Sequence, residues 1–162
     1  MTTTFNFRSL LKTVICLAFL FGCASSAVFA CSCAPGTTGF LERSLDSNLI
    51  VIGKVTGSQP VNPAIPWSDI VISLEVQRIL KGDNTVQNVT LVMSGLCGFA
   101  MPVNSNWVFA LNPIGVNSVS RFYVSICAKN YLYVKAGQVI GQIHSDKITR
   151  MRIPKFIKSL RR

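Results

Sequence analysis

The clearest pattern in the chain is an alternation of apolar and polar residues between Ile70 and Leu80. This period of two is typical of a β-strand with one buried face. The same alternation returns at Val89, Leu91 and Met93, and residues 81–84 between the two runs are Lys-Gly-Asp-Asn, which favour a turn. The pattern therefore predicts two consecutive antiparallel strands.

Further apolar runs predict at least three more strands. Residues 48–57 are rich in β-branched side chains and predict a first strand that is buried on both faces. Residues 107–111 and 122–126 alternate again, and 131–134 predict a further short strand or a continuation. About five short strands with turns between them predict a small antiparallel barrel, closed or nearly closed.

Helical spacing occurs near both ends of this β region. Residues 40–46 place four residues on one face of a short helix of about two turns: Phe40, Leu41, Ser44 and Leu45. Pro154 favours the first turn of a second helix, with Phe156, Ile157 and Leu160 opposite basic residues. The predicted fold class is thus mainly β with two short helices.

The first 30 residues predict an export signal instead of a folded element. Arg8 and Lys12 precede an apolar core at residues 14–21, and small residues follow before Cys31. The apolar run is shorter than the ~20 residues that a membrane-spanning helix needs. Removal of this leader would make Cys31 the first residue of a secreted or periplasmic protein. Residues 20–23 also resemble a lipobox, and lipidation at Cys23 would leave Cys31 internal.

The charge of +10 is concentrated at the C-terminal end. Basic and acidic residues cancel over residues 31–128, whereas residues 129–162 carry nine basic residues against the single acid Asp146, a local +8. We therefore divide the exported chain into a domain at residues 31–146 and a basic tail at residues 147–162. This tail is either a solvated end or a contact for an anionic membrane surface or another polyanion. Export makes nucleic acid an unfavourable partner.

Four cysteines remain after the leader: Cys31, Cys33, Cys97 and Cys127. An even number in an exported chain predicts two disulfides. A bond between Cys31 and Cys33 would close too small a ring, so each is expected to pair with one of the distant cysteines. The spacing leaves both pairings open. It also leaves open a purely structural role, and a metal site formed by reduced thiols.

The sequence shows no motif that is typical of catalysis or of a bound cofactor. His144 is the single histidine, so it cannot form a histidine-rich metal site, and a surface role is favoured. No paired carboxylates, phosphate-binding loop or nucleophile motif is visible. We predict a protein that is not an enzyme and has no cofactor of its own.

Three segments together resemble the N-terminal, netrin-like domain of the tissue inhibitors of metalloproteinases. They are Cys31-Ser32-Cys33-Ala34-Pro35 after the leader, the run from Leu49 to Gly57, and Ser94-Gly95-Leu96-Cys97-Gly98 with the distant Cys127. The resemblance covers roughly residues 31–135. It implies a five-stranded OB-type barrel and the disulfides Cys31–Cys97 and Cys33–Cys127. A third disulfide and the second domain of the animal inhibitors have no counterpart here.

The resemblance also implies an inhibitory mechanism. The α-amino nitrogen and carbonyl oxygen of Cys31 would chelate the catalytic zinc of a metalloprotease, so that zinc enters only as part of the bound partner. The side chain of Ser32 would enter the specificity pocket. Five residues would flank these two: Cys33, Ala34, Pro35, Leu96 and Cys97. The alternative is an exported or lipid-anchored netrin-like binding module that inhibits no protease.

Overall fold

The computed structural model describes Cys33 and residues 38–95, 98–113 and 121–161. These residues form eight strands in one sheet, two short helices and a 3-10 turn. In chain order the elements are α1 (Phe40–Arg43), β1 (Leu49–Pro60), β2 (Ile70–Lys81), β3 (Asn88–Met93), β4 (Asn106–Leu111), β5 (Arg121–Val124), the 3-10 turn (Ile126–Ala128), β6 (Tyr131–Lys135), β7 (Gln138–Gly141), β8 (Thr149–Arg152) and α2 (Ile153–Leu160). The predicted mainly β class is confirmed.

The sheet is open, so the predicted closed barrel of five strands is wrong in both closure and strand number. The strand order is β5-β3-β2-β1-β4-β6-β7-β8. All neighbouring pairs are antiparallel except β3 and β5, which are parallel. Both edges of β4 are occupied, by β1 and by β6, so β4 cannot form a ladder with β5. An isolated bridge between Pro113 and Phe122 joins the end of β4 to β5.

One face of the first five strands encloses the inner cluster. Its members are the buried residues Leu49, Val51, Val55, Ile72, Leu74, Val89, Leu91, Met93, Met101, Trp107, Phe109, Leu111, Phe122 and Val124. Most of them occupy the alternating positions from which these strands were predicted. The strand β1 also has three register irregularities against β2, which bend it and help β1 to pair with β4 on its other side.

The opposite face of β1 and β4 carries the outer cluster. It consists of Phe40, Ile50, Ile52, Val108, Ala110, Leu132, Val139, Ile143 and Phe156. Residues of β1 thus enter both clusters, which confirms the prediction of a strand buried on both faces. The inner and outer clusters share β1 and β4 as a common wall.

The two helices close the outer cluster from opposite ends of the chain. Helix α1 has four residues, so the predicted two turns are wrong. The hydroxyl of Ser44 donates to the carbonyl oxygen of Leu41 at 2.8 Å, a local bond that competes with further helical bonds. Helix α2 contains Pro154 in its first turn, as predicted, and the ring of Phe156 packs 5.7 Å from that of Phe40. Residues 149–160, within the basic segment, therefore pack on the sheet and the outer cluster.

Candidate functional site

The structure describes one of the seven predicted inhibitory residues, Cys33. Cys33 is described and half-buried. Cys31, Ser32, Ala34, Pro35, Leu96 and Cys97 lie outside the described residues, as does the lipidation candidate Cys23. The local geometry of the candidate site is therefore defined by Cys33 and by the described residues on either side of the gap at 96–97.

Cys33 forms a disulfide with Cys127 across 94 positions of sequence, with 5.1 Å between the two Cα atoms. This bond confirms one of the two pairings that the resemblance implies. It also excludes the crossed arrangement, because that arrangement needs Cys33 to pair with Cys97. The N-terminal segment is thus covalently fixed to the body of the domain at Cys33.

A short turn holds Cys127 in place. The strand β5 ends at Val124, before the predicted Ile126, and the chain enters the 3-10 turn at Ser125. The Ser125 hydroxyl accepts from the Cys127 backbone N–H at 3.2 Å. Lys129 then adopts a left-handed conformation with φ of 51° and turns the chain into β6. The attachment point of the N-terminal segment is therefore a hydrogen-bonded turn at the end of a sheet strand.

The parallel pairing of β3 and β5 brings two predicted parts of the site to the same edge of the sheet. Met93 is opposite Val124, so both strands end there. Ser94 and Gly95 follow β3, just as the turn with Cys127 follows β5. Because paired strands lie about 5 Å apart, the Cys33–Cys127 bond and the loop at 94–98 begin side by side. Sequence separation gives no indication of this proximity.

Gly95 lies against the β1–β2 loop. A Cβ atom at this position would overlap the carbonyl oxygen of Ser68, so only glycine fits without a shift of the backbone. Its backbone N–H donates to the Asp69 carboxylate at 3.3 Å. Gly95 and the β1–β2 loop are therefore packed together at this edge.

The loops that join β1 to β2 and β3 to β4 expose five large apolar side chains, which we call the apolar rim. Its members, with their exposed fractions, are Val61 (64%), Ile65 (39%), Trp67 (64%), Phe99 (38%) and Val103 (52%). The segment that carries Phe99 and Val103 lies along β1, since the backbone N–H of Asn104 donates to the Val55 carbonyl at 2.8 Å. Exposed large apolar side chains on adjoining loops are a feature of protein-binding surfaces.

The rim was not predicted from the sequence. Trp67 lies in the loop between β1 and β2, which also contains Pro63 and Pro66. The available signal was the tryptophan itself, a residue that is common at binding hot spots and unusual in a solvated loop.

Aromatic rings pack against one member of the rim, Phe99. The ring of Phe99 lies 6.2 Å from that of Trp107 and 5.9 Å from that of Tyr131. Trp107 also contacts Tyr133, with 5.0 Å between centroids, and donates its indole N–H to the Ser105 hydroxyl at 2.7 Å. Burial raises the pKa of the Tyr131 phenol, which keeps that ring neutral. The edge is therefore built on packed aromatic side chains.

The described residues contain no group of three or more His, Cys, Asp or Glu side chains arranged to hold a metal ion. His144 is exposed in the loop after β7. Within the same residues, no helix has the length and apolar composition to cross a membrane.

Comparison with known proteins adds no family. No protein-family model matches the chain, and the search of curated proteins returns no match. The resemblance to tissue inhibitors of metalloproteinases therefore rests on the residue pattern given above.

Proposed function

We propose that the protein is a secreted inhibitor of zinc metalloproteases that acts through the amino terminus of Cys31. The observation that carries this proposal is the Cys33–Cys127 disulfide at the edge where the loop at 94–98 begins. Cys31 lies two residues before the anchored Cys33, so a chain that starts there has its α-amino group close to a fixed point. A second bond, Cys31–Cys97, belongs to the proposal and would fix that group directly.

Metal chemistry suits an amine in this position. A catalytic zinc site holds three protein ligands and keeps a fourth position open for water or substrate. An α-amino group has a pKa of about 7.7 to 8, so it is readily deprotonated when it binds a metal. The amine and the carbonyl oxygen of Cys31 would take the place of water on the zinc of the protease. Ser32 would then enter the specificity pocket, flanked by Ala34, Pro35 and Leu96.

The apolar rim supports a protein partner. Its five side chains are exposed on the loops that join β1 to β2 and β3 to β4, and desolvation of apolar and aromatic groups contributes much of the energy at binding hot spots. The disulfide and the packed rings reduce the conformational entropy that the edge would lose on binding. Zinc chelation and burial of the rim would therefore act together.

The proposal also assigns the first five strands to a partly open OB-type barrel. The order β4-β1-β2-β3-β5, the parallel pair β3 and β5, and the bridge between Pro113 and Phe122 support this assignment. The strands β6 to β8 and α2 would then be an addition to that barrel.

Two matched extensions test the chelation mechanism. Mature protein that begins at Cys31 is compared with a version that has one alanine before Cys31 and a version that has one alanine after Arg162. Inhibition constants are measured on a panel of zinc proteases. We expect the N-terminal extension to weaken inhibition by at least about 100-fold, since it removes a metal ligand, and the C-terminal extension to have no effect. Equal inhibition by all three forms would exclude chelation by Cys31.

A second pair of variants tests the rim. Trp67→Ala removes a side chain that is 64% exposed, and Leu45→Ala removes one that is 63% exposed beyond the other end of β2. We expect Trp67→Ala to weaken inhibition by about tenfold or more, the effect of a typical hot spot, while Leu45→Ala leaves it unchanged. If both changes had the same effect on inhibition, the rim would not be part of the inhibitory surface.

The rim also favours a second candidate, a binding module that inhibits no protease. An apolar surface can bind a protein partner without any free amine, and lipidation at Cys23 would leave eight residues before Cys31. The intact mass of the exported protein separates the two candidates. A chain that begins at Cys31 is consistent with the inhibitor proposal. A chain that begins at a lipidated Cys23 excludes that proposal and leaves the binding module.

A further inference from the structure

The strands β6, β7 and β8 present one face that the outer cluster does not use. Leu132 and Val139 on their other face are buried in that cluster, and Met151 packs against it. We call the opposite side the extension face. It consists of Tyr131, Tyr133, Lys135, Gln138, Ile140, Arg150 and Arg152, all of which are exposed or half-buried.

The register of the ladder arranges these side chains in two rows. Tyr133 is opposite Ile140, and Ile140 is opposite Arg150. Directly opposite residues of an antiparallel pair point to the same face, so the three form one row across the strands. Lys135, Gln138 and Arg152 form the second row in the same way.

The extension face is basic and carries no carboxylate. Lys135, Arg150 and Arg152 are all exposed. Arg150 and Arg152 are separated by about 7 Å along β8, and Lys135 lies about 10 Å across the sheet from Arg152, given the standard strand rise and spacing. Three cations at these distances on a nearly flat surface suit a ligand that carries repeated negative charges.

A shallow cavity of about 210 Å³ adjoins the first row. Trp107, Tyr131 and Tyr133 form its aromatic wall, and Ile140 and Ile148 form its aliphatic side. Ile148 is 76% exposed. The cations thus lie next to apolar surface that is accessible to a ligand.

We propose that the extension face binds an acidic polysaccharide. Carboxylate or sulfate groups of the glycan pair with Lys135, Arg150 and Arg152, and the apolar faces of its sugar rings lie against Tyr133 and Ile140. The face contains neither Cys33 nor any member of the apolar rim, although its Tyr131 packs against Phe99 of the rim. The proposed glycan contacts do not include Tyr131, so this binding does not depend on the proposed inhibition of proteases.

Two other anionic partners fit the geometry less well. Insertion into a membrane surface needs an uncovered apolar helix face, whereas Phe156 of α2 is fully buried in the outer cluster. Single-stranded nucleic acid stacks its bases on open ring faces. Here Trp107 meets Tyr131 and Tyr133 at interplanar angles of 66° and 54°, so the rings are inclined to one another and do not offer successive bases a series of parallel faces.

The test compares two double variants with the same change of charge. Arg150→Ser with Arg152→Ser removes two cations from the extension face. Lys155→Ser with Lys158→Ser removes two exposed cations from α2, which lies on the other side of the sheet. Binding to heparin, which is sulfated, and to polygalacturonate, which carries only carboxylates, is measured over a range of salt concentrations with the full exported chain.

We expect the arginine variant to raise the dissociation constant about tenfold and to lower the salt slope by about two, one for each lost contact. The lysine variant should change both quantities far less. Binding of heparin alone selects sulfate as the recognised group, and binding of both glycans selects repeated negative charge. Equal loss in the two variants, no binding by the unmodified protein, or tighter binding to oligo-dT or anionic vesicles would overturn the proposal.

Aggregation is the main complication, because β8 is an edge strand and arginines protect such edges. Lys135→Ser on β6 provides a second variant away from the edge. We expect it to raise the dissociation constant by a smaller factor and to lower the salt slope by about one. If this variant binds both glycans like the unmodified protein, the extension face is not the binding site.

Discussion

The inner and outer clusters lie on opposite faces of the same two strands, yet they are assembled in different ways. The inner cluster collects alternate residues from five strands in a row along the chain, from Leu49 to Val124. The outer cluster joins Phe40, which precedes the first strand, to Phe156, which follows the last one. Local alternation therefore specifies the first cluster, whereas the second exists only after distant segments have met.

The shared wall couples the two clusters. Val51 of β1 belongs to the inner cluster and its neighbours Ile50 and Ile52 belong to the outer one, all of them buried. A shift of β1 that repacks one face moves the other, because protein interiors have few voids to absorb it. We therefore expect the two clusters to unfold in one transition.

Phe109→Ala in β4 should have the largest effect. This ring is fully buried in the inner cluster, and loss of a buried phenylalanine costs about 3 to 5 kcal/mol from the lost burial and the cavity that remains. The free energy of unfolding is measured by urea denaturation under oxidising conditions. Tyr123→Ala, at a side chain that is 47% exposed, is the control and should cost far less. A loss below about 1 kcal/mol for Phe109→Ala would contradict a close-packed inner cluster.

Phe156→Ala tests whether the outer cluster is as well packed. We expect a loss of about 3 kcal/mol, at the lower end of the range, because α2 has only 8 residues and can relax toward the cavity. Lys158→Ala on the exposed side of the same helix should change stability by less than about 0.5 kcal/mol. Circular dichroism and tryptophan fluorescence should report the same midpoint in a Trp67→Phe background, where Trp107 is the remaining tryptophan. Two separate midpoints would show that the outer cluster melts while the inner one stays folded.

The inner cluster shows how much of the fold can be predicted from the sequence. The alternation in β2 to β4 and the β-branched run of β1 predicted the right residues as buried, because a strand with one buried face needs that period. The strands β7 and β8 were missed. Each has only four residues. In Thr149–Arg152, Thr and Met alternate with two arginines, so the segment resembles a basic tail more than a strand. Their pairing depends on contacts with β6 that no local pattern contains.

The candidate site was also predicted only in part. The number of cysteines and the leader predicted long disulfides, and Cys33 does pair with Cys127. Spacing could not choose between the two pairings, because each of Cys31 and Cys33 is far in sequence from both Cys97 and Cys127. The exposure of Trp67 could not be predicted either, since an apolar side chain in a proline-containing loop is buried or exposed according to what the loop packs against.

Gly141→Ala should destabilise the outer cluster more than Gly137→Ala does. Gly141 has φ of 150°, a conformation almost confined to glycine, and an added Cβ would lie 2.7 Å from Leu132 Cδ2 in that cluster. Gly137 has φ of 71° and no atom within 4 Å of an added Cβ. We expect losses of about 2 to 3 kcal/mol and about 1 kcal/mol, respectively, in the free energy of unfolding. Equal losses would show that Leu132 moves aside freely and that the outer cluster is loosely packed.

Tyr131→Phe should have the smallest effect and tests how far the inner cluster extends onto β6. Burial raises the pKa of this phenol in the folded chain, whereas in the unfolded chain it ionises near 10. Below pH 10 both states keep the proton. As the pH rises from about 10 through the folded pKa, the unfolded state loses its proton first, so the unmodified protein loses stability that the phenylalanine variant keeps.

The measurement compares the free energy of unfolding of the two proteins at pH 8 and pH 10.5, with tyrosinate absorbance as a second readout. Water screens the half-exposed phenol, so we expect the gap between the proteins to change by less than about 1 kcal/mol, in favour of the variant at the higher pH. Parallel pH profiles would mean that Tyr131 ionises as it does in solvent. In that case the Tyr131 hydroxyl would be hydrated in the folded chain, and the inner cluster would extend to β6 only through the ring contacts of Tyr131 with Phe99 and Trp107.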